Sequence, residues 1–200
     1  MGGVMCSPDF VSSSLNERWS QKMMSRMITR LHGSPSNSTD IQHIHIPRVL
    51  FVRETVAVTQ LRDCQGRALA AIWSTLQTQG EASSEHAYVR YHSVDETEMD
   101  VEVGLPVDDT IIGDDTVSVG SLHKGPALTH LHFGSHQRLG GAYAALAEGD
   151  SAGLVPVGAP WETYQWFKLD STPNPTDWPA QETWRTMLVQ PLAPDNQSHG

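Results

Sequence analysis

The sequence predicts an α+β fold: duplicated strand-helix-strand-strand units, related by a pseudo-twofold, forming a mostly antiparallel sheet with two helices on one face, plus an N-terminal helix. Three observations lead there. Ala57 to Leu76 and Ala127 to Leu146 align at a constant offset of 70, matching Ala57/Ala127, Thr59/Thr129, Leu61/Leu131, Leu69/Leu139 and Leu76/Leu146. Each segment passes from an alternating, extended run into helical spacing. Each is then followed by two further alternating runs.

In the first copy Leu69, Ile72, Trp73 and Leu76 recur at i, i+3, i+4 and i+7, and in the second Leu139, Ala142, Tyr143 and Leu146 do the same. That spacing places each set on one face of a helix. The extended runs of the first copy are Ala87 to Val94 and Met99 to Val107, joined by an acidic turn at Asp95 to Glu98. Those of the second are Trp161 to Leu169 and Thr183 to Leu192, with Pro191 matching Pro106. The longer link between them, residues 170–182, carries Pro173, Pro175 and Pro179. A unit of this size closes a core poorly alone, whereas two can share one.

Composition narrows the function classes. The chain has 200 residues, 38% hydrophobic and 18% charged, which suits a globular domain with a sizeable core. No run reaches the ~18 apolar residues of a membrane span, and Met1 to Leu15 lacks the basic and apolar regions of a secretory signal. A cytoplasmic protein without membrane association is therefore expected. Cys6 and Cys64 lack the spacing of a disulfide framework or a zinc ribbon. Residues 1–47 carry a formal charge of +1 and residues 48–200 carry -11, a field that repels phosphate backbones, so no nucleic-acid partner is expected.

The organisation expected is an N-terminal helical arm and linker at 1–47, a ligand-binding domain at 48–194 and a tail at 195–200. In the arm, Trp19, Met23, Met27 and Leu31 recur every four residues and form an apolar stripe. Such a stripe must dock, either on the main body or on a second subunit, which would make a homodimer.

The run Trp161 to Leu169 holds the candidate chemistry. Period-two geometry puts Glu162, Tyr164 and Trp166 on one face and Trp161, Thr163, Gln165 and Phe167 on the other. Matching Tyr91 with Tyr164 sets the apolar Val89 against the acidic Glu162 in the repeat. With Tyr91 and Tyr164 facing the shared core, Glu162 is a carboxylate among rings, with Trp73 and Tyr143 projecting from the helices. Rings and counter-charge together suit a flat aromatic cation. A one-residue slip inverts the faces, and then Glu162 is solvated while Trp73 and Tyr143 are core fillers. Alternation with Met99, Val101 and Val103 puts Asp100 and Glu102 on a solvated face.

His130 with His132, and His43 with His45, share strand faces at i and i+2, but neither pair has a third ligand nearby. No metal is expected, and no motif calls for a cofactor: GxSxG, the Walker loop, the dinucleotide fingerprint and HExxH do not occur.

The runs YVRYHSVDETEMDVEVGLPV (Tyr88 to Val107) and HFGSHQRLGGAYAAL (His132 to Leu146), with WETY followed by TWRTMLVQPL, resemble the GyrI-like domain, also called the AraC effector-binding domain. The resemblance covers about residues 48 to 194. It implies the duplicated fold and a small-molecule pocket where the halves meet. The family's Glu-x-Tyr element maps to Glu162 and Tyr164, and its second-strand tyrosine to Tyr91. In drug-binding members the acidic residue meets lipophilic cations. Without a DNA-binding module the chain resembles a stand-alone member, for which multidrug binding, sequestration and hydrolysis of cyclopropane-bearing genotoxins are family functions. Gyrase inhibition is another, and nothing in these residues identifies a gyrase-binding surface.

The function expected is binding of aromatic lipophilic cations by Glu162, Tyr164, Trp166, Tyr91, Trp73 and Tyr143. The alternative is a hydrolase in which Glu162 activates water or delivers a proton and Tyr164 orients the substrate.

Overall fold

The computed structural model describes residues 39–46, 48–81, 86–173 and 178–194. The expected arm helix with Trp19, Met23, Met27 and Leu31, and the tail from residue 195, lie outside the described residues. Among the described residues alternation and breakers set nine strands: β1 (Thr39–His45), β2 (Val49–Ala57), β3 (His86–Val94), β4 (Glu98–Pro106), β5 (Ser118–Gly120), β6 (Lys124–Phe133), β7 (Leu154–Pro156), β8 (Trp161–Lys168) and β9 (Arg185–Pro194). Two helices, α1 (Leu61–Thr78) and α2 (Leu139–Glu148), follow β2 and β6.

The strands form one antiparallel sheet in the order β1-β6-β9-β8-β3-β4-β2-β5, with β7 against β9. The two units are β2-α1-β3-β4 and β6-α2-β8-β9. Their inner strands, β3 and β8, pair with each other, so the seam between the halves runs through the middle of the sheet. Thr39–His45, grouped with the arm by composition, is the edge strand of this sheet and pairs with β6.

The repeat is real but its first strand and helix are offset by 78, not 70. Leu61 and Leu139 open the two helices, and Val49 and Ala127 pair respectively with Pro106 and Pro191. An offset of 70 is eight residues short, a little over two helical turns of 3.6 residues, so it brings the same apolar face into register and mimics the true match. Leu61, Cys64 and Ala68 are the counterparts of Leu139, Ala142 and Leu146, and all six are buried. Two consequences follow for the equivalence of the helices. Gln65 stands where Tyr143 stands in the other half, and the counterpart of Trp73 is Ser151, beyond the end of α2.

The end of α1 is fixed by its own turn. Gly80, at φ +71, donates to the Gln77 carbonyl while Glu81 donates to that of Leu76, a Schellman closure that favours glycine at the left-handed position. At the β3–β4 hairpin the Asp95 Oδ1 accepts from the backbone N–H of Thr97 at 2.8 Å and of Glu98 at 2.7 Å. These bonds hold the Asp95 carboxyl below its ordinary range.

Both helices lie on one face of the sheet, over a core that includes Leu50, Ile72, Leu76, Val89, Tyr91, Val101, Val103, Tyr143 and Leu188. The opposite face buries a smaller cluster of Val49, Tyr88, Leu122, Ala127, Trp161 and Val189. Glu102, expected on a solvated face, belongs to this second side and is 6% exposed. Its Oε1 accepts from Tyr88 Oη and its Oε2 contacts His92 Nε2, both at 2.7 Å, with Arg90 Nη1 at 4.0 Å. Alternation misplaced it because β4 is central and covered on both faces, where acidic residues survive only with partners. A bulge between Tyr91 and Ser93 supplies one of them, since the extra residue is His92. Asp100 does lie toward solvent, where Arg53 donates to both its oxygens at 2.8 and 2.6 Å.

Candidate functional site

At the seam, Val89 pairs with Glu162 and Tyr88 with Thr163, so Val89 and Glu162 leave the sheet on the helix side. Glu162 is 1% exposed there. Its Oε1 accepts from Tyr143 Oη at 2.6 Å, a donor that α2 lowers onto the sheet one helical turn after Leu139. Its Oε2 accepts from Tyr164 Oη at 3.0 Å, two residues along the same strand and therefore on the same face. Tyr91 lies beneath, 1% exposed and in hydrogen-bond contact with Tyr164. Burial first, and the Glu162 carboxylate second, hold the Tyr91 and Tyr164 phenols well above their ordinary value, so both remain protonated donors.

Beyond Tyr164 an aromatic wall continues. Tyr164 stacks on Trp166 at 5.7 Å between centroids, and Trp166 lies parallel to Trp184 at 4.0 Å and 4°. Trp178 meets Trp166 edge-on at 5.4 Å, and the His136 ring stands 5.1 Å from Tyr164 and 4.8 Å from Trp184. The His136 Nε2 contacts Thr186 Oγ1 at 3.0 Å, and burial pulls its pKa down to about 4, so the ring is neutral at pH 7.

The structure thus brings together Glu162, Tyr164, Trp166, Tyr91 and Tyr143. Trp73 sits half-buried on α1 against the same helix-side core, but the hydrogen bonds about Glu162 run through Tyr143 and Tyr164 instead. Phe167, expected on the far face, also packs on the helix side, against Trp166 and Trp178. Four residues, Tyr164 to Phe167, stand opposite the single Ala87 of β3, and so large an irregularity breaks strict alternation.

His136, Trp178 and Trp184 escaped sequence reasoning. His136 lies in the turn before α2, Trp178 in the proline-rich link, and Trp184 just ahead of β9. One signal was present: four of the six tryptophans fall between residues 161 and 184. Of the histidines weighed as ligands, two have other engagements: His130 Nδ1 with Thr39 Oγ1 at 2.9 Å, and His132 Nε2 with the Ser135 carbonyl at 3.0 Å. Among the described residues no group of three or more His, Cys, Asp and Glu is placed to hold a metal ion. No described helix is long and apolar enough to cross a membrane.

No family profile matches the chain, and no curated protein does. Solved structures do. The EcmrR C-terminal domain superposes with a TM-score of 0.58 at 17% identity, over 79% of this chain and 98% of that one. EcmrR in its complex with DNA gives 0.56 at 18% identity, over 78% of this chain. The match spans 57% of that longer protein. A hydrolase from Listeria innocua gives 0.52 at 12% identity, over 80% of this chain and 94% of that one. At these identities the likeness is one of fold.

Proposed function

We propose that the protein is a small-molecule-binding domain of the GyrI-like, effector-binding kind, and that its helix-side site takes aromatic lipophilic cations. The observation that carries this reading is the setting of Glu162, a carboxylate 1% exposed at the seam of the two halves and flanked by Tyr143, Tyr164, Tyr91 and Trp166. A buried negative charge is costly, and the tyrosine hydroxyls that donate to Glu162 offset part of that cost. A positive ligand offsets more. Ring faces add cation-π attraction of roughly 0.5 to 2 kcal/mol each. The likeness in fold to the EcmrR C-terminal domain supports the general class without naming a ligand. The net charge of -11 over residues 48–200 supports cation capture and disfavours duplex DNA as a partner of this domain.

Titration with rhodamine-like or ethidium-like dyes tests the reading. Glu162→Gln is expected to weaken binding about tenfold or more, in line with a lost charge interaction of ~1.4 kcal/mol or above. Equal affinity in wild type and variant, or no binding at all, rejects it.

A second reading, hydrolysis of a cyclopropane-bearing alkylator with Glu162 activating water and Tyr164 orienting the substrate, is favoured by the fold it shares with the Listeria innocua hydrolase. The hydrogen bonds weigh against it. Each carboxylate oxygen of Glu162 already accepts a tyrosine hydroxyl, which lowers its power as a base. Turnover that is lost in Glu162→Gln while binding persists would establish hydrolysis; stoichiometric binding without product leaves the pure binder.

A further inference from the structure

The three tryptophans of the aromatic wall use their indole N–H groups differently. Trp184 Nε1 donates to the Pro179 carbonyl at 2.9 Å, which pins the link before β9. Trp166 Nε1 and Trp178 Nε1 are buried and have no acceptor among the described residues. Their rings meet edge-on at 5.4 Å and 69°, so the two side chains that carry these donors are neighbours in the wall. Folded proteins leave few buried donors unpaired, because each costs about 1–3 kcal/mol in lost hydration.

Glu162 meets its neighbours in the opposite way. Tyr143 and Tyr164 donate to its two oxygens, so a cation there is held by through-space charge and by ring faces more than by its own N–H donors. A site with its acceptor engaged and two donors unengaged asks for acceptors on the ligand. An apolar onium ion leaves both indole donors unpaired, whereas a cation bearing an ester, carbonyl or ether oxygen satisfies them.

We propose, on the basis of the cation-binding reading, that the ligand class is a delocalised aromatic cation that also carries hydrogen-bond-accepting oxygen, and that Trp166 and Trp178 select for that oxygen through their indole N–H groups. The rings of the ligand then lie along the Tyr164 and Trp166 side of the wall, and the oxygen faces Trp166 and Trp178. Trp178 lies between the β8 and β9 strands, in the stretch from residue 170 to 182.

The test compares two probes of like charge: a rhodamine ethyl ester, which carries ester and ring-ether oxygens, and tetraphenylphosphonium, which carries none. Dissociation constants are measured for the full chain, for Trp178→Phe and for Trp166→Phe. A neutral hydrogen bond contributes ~0.5 to 1.5 kcal/mol, so each variant is expected to lose about 2- to 10-fold more affinity for the rhodamine than for the phosphonium. In wild type, the rhodamine should also displace the proton resonances of two indole N–H groups that the phosphonium leaves in place, a readout that does not depend on a variant folding. Equal losses for both probes, with indole resonances unmoved by the rhodamine, overturn the selection by oxygen while the cation reading stands. If neither probe binds the wild type, the cation reading itself falls.

Discussion

Val89 and Glu162 face each other across the β3–β8 seam as register partners, each 1% exposed, one apolar and one acidic at matching positions of the two halves. A duplicated fold starts with equivalent sides, and here the sides have diverged in charge. The second half also supplies Trp166, Trp178, Trp184 and His136, so the aromatic wall is one-sided. The seam therefore has its carboxylate and most of its rings in the second half, while the first half contributes Val89 and Tyr91.

Of the two tyrosines that donate to that carboxylate, Tyr143 lies nearer, at 2.6 Å against 3.0 Å. Tyr143→Phe keeps the ring and removes the donor, and hydrogen bonds to charged groups are worth ~1.5–3 kcal/mol. Urea denaturation is expected to show a loss of that size at pH 7. A change under ~0.5 kcal/mol would mean that Tyr143 does not stabilise the ionised form.

Gly104 lies under the Tyr88 ring, and a Cβ built there would come within 2.5 Å of Cε1 and 2.6 Å of Cζ. The ring cannot swing away without breaking the Tyr88–Glu102 hydrogen bond. Gly104→Ala is expected to cost about 1–3 kcal/mol in a thermal melt. Gly66, in α1 with nothing within 4 Å, serves as the contrast, and Gly66→Ala should stabilise by roughly 0.5–1 kcal/mol.

The Glu102 network makes a further test of that coupling. With Tyr88→Phe the hydroxyl that anchors the ring is gone, so the added methyl of Gly104→Ala should cost less in the double variant than in the single one. A double-mutant cycle is expected to return an interaction of about 0.5–3 kcal/mol. Strict additivity would show that the ring yields to the methyl without straining its hydrogen bond.

His136 makes stability depend on pH. Its folded pKa is depressed from the ordinary 6.5 to about 4, so between those values the unfolded chain binds the proton and the folded chain does not. The stabilisation is fully present above pH ~6.5 and is lost as the pH falls toward 4. His130 and His132, also depressed by burial, act in the same sense. Melts of His136→Gln across this window should show a shallower decline than wild type, and an unchanged slope would place the titration elsewhere.

The sequence alone determined what depends on short-range periodicity. Alternation placed β3, β4, β8 and most of β9, and it put Glu162, Tyr164 and Trp166 on one face, because neighbours two apart along a strand share a side whatever that strand pairs with. Helical spacing found α1 and α2 and their inward faces. The same periodicity hid the error in the repeat, since a slip of eight residues preserves a helical face, and so Trp73 was set in the place of Tyr143. Only the tertiary structure decided which strands meet. Pairing β3 with β8 buried Glu162 beneath Tyr143, and covering β4 on both sides buried Glu102 against Tyr88 and His92. Tertiary packing also brought the rings of Trp178 and Trp184 to Trp166. These contacts join residues that no local period relates. Their free energy comes from burial and hydrogen bonding between distant segments, and it is fixed when the halves close on each other.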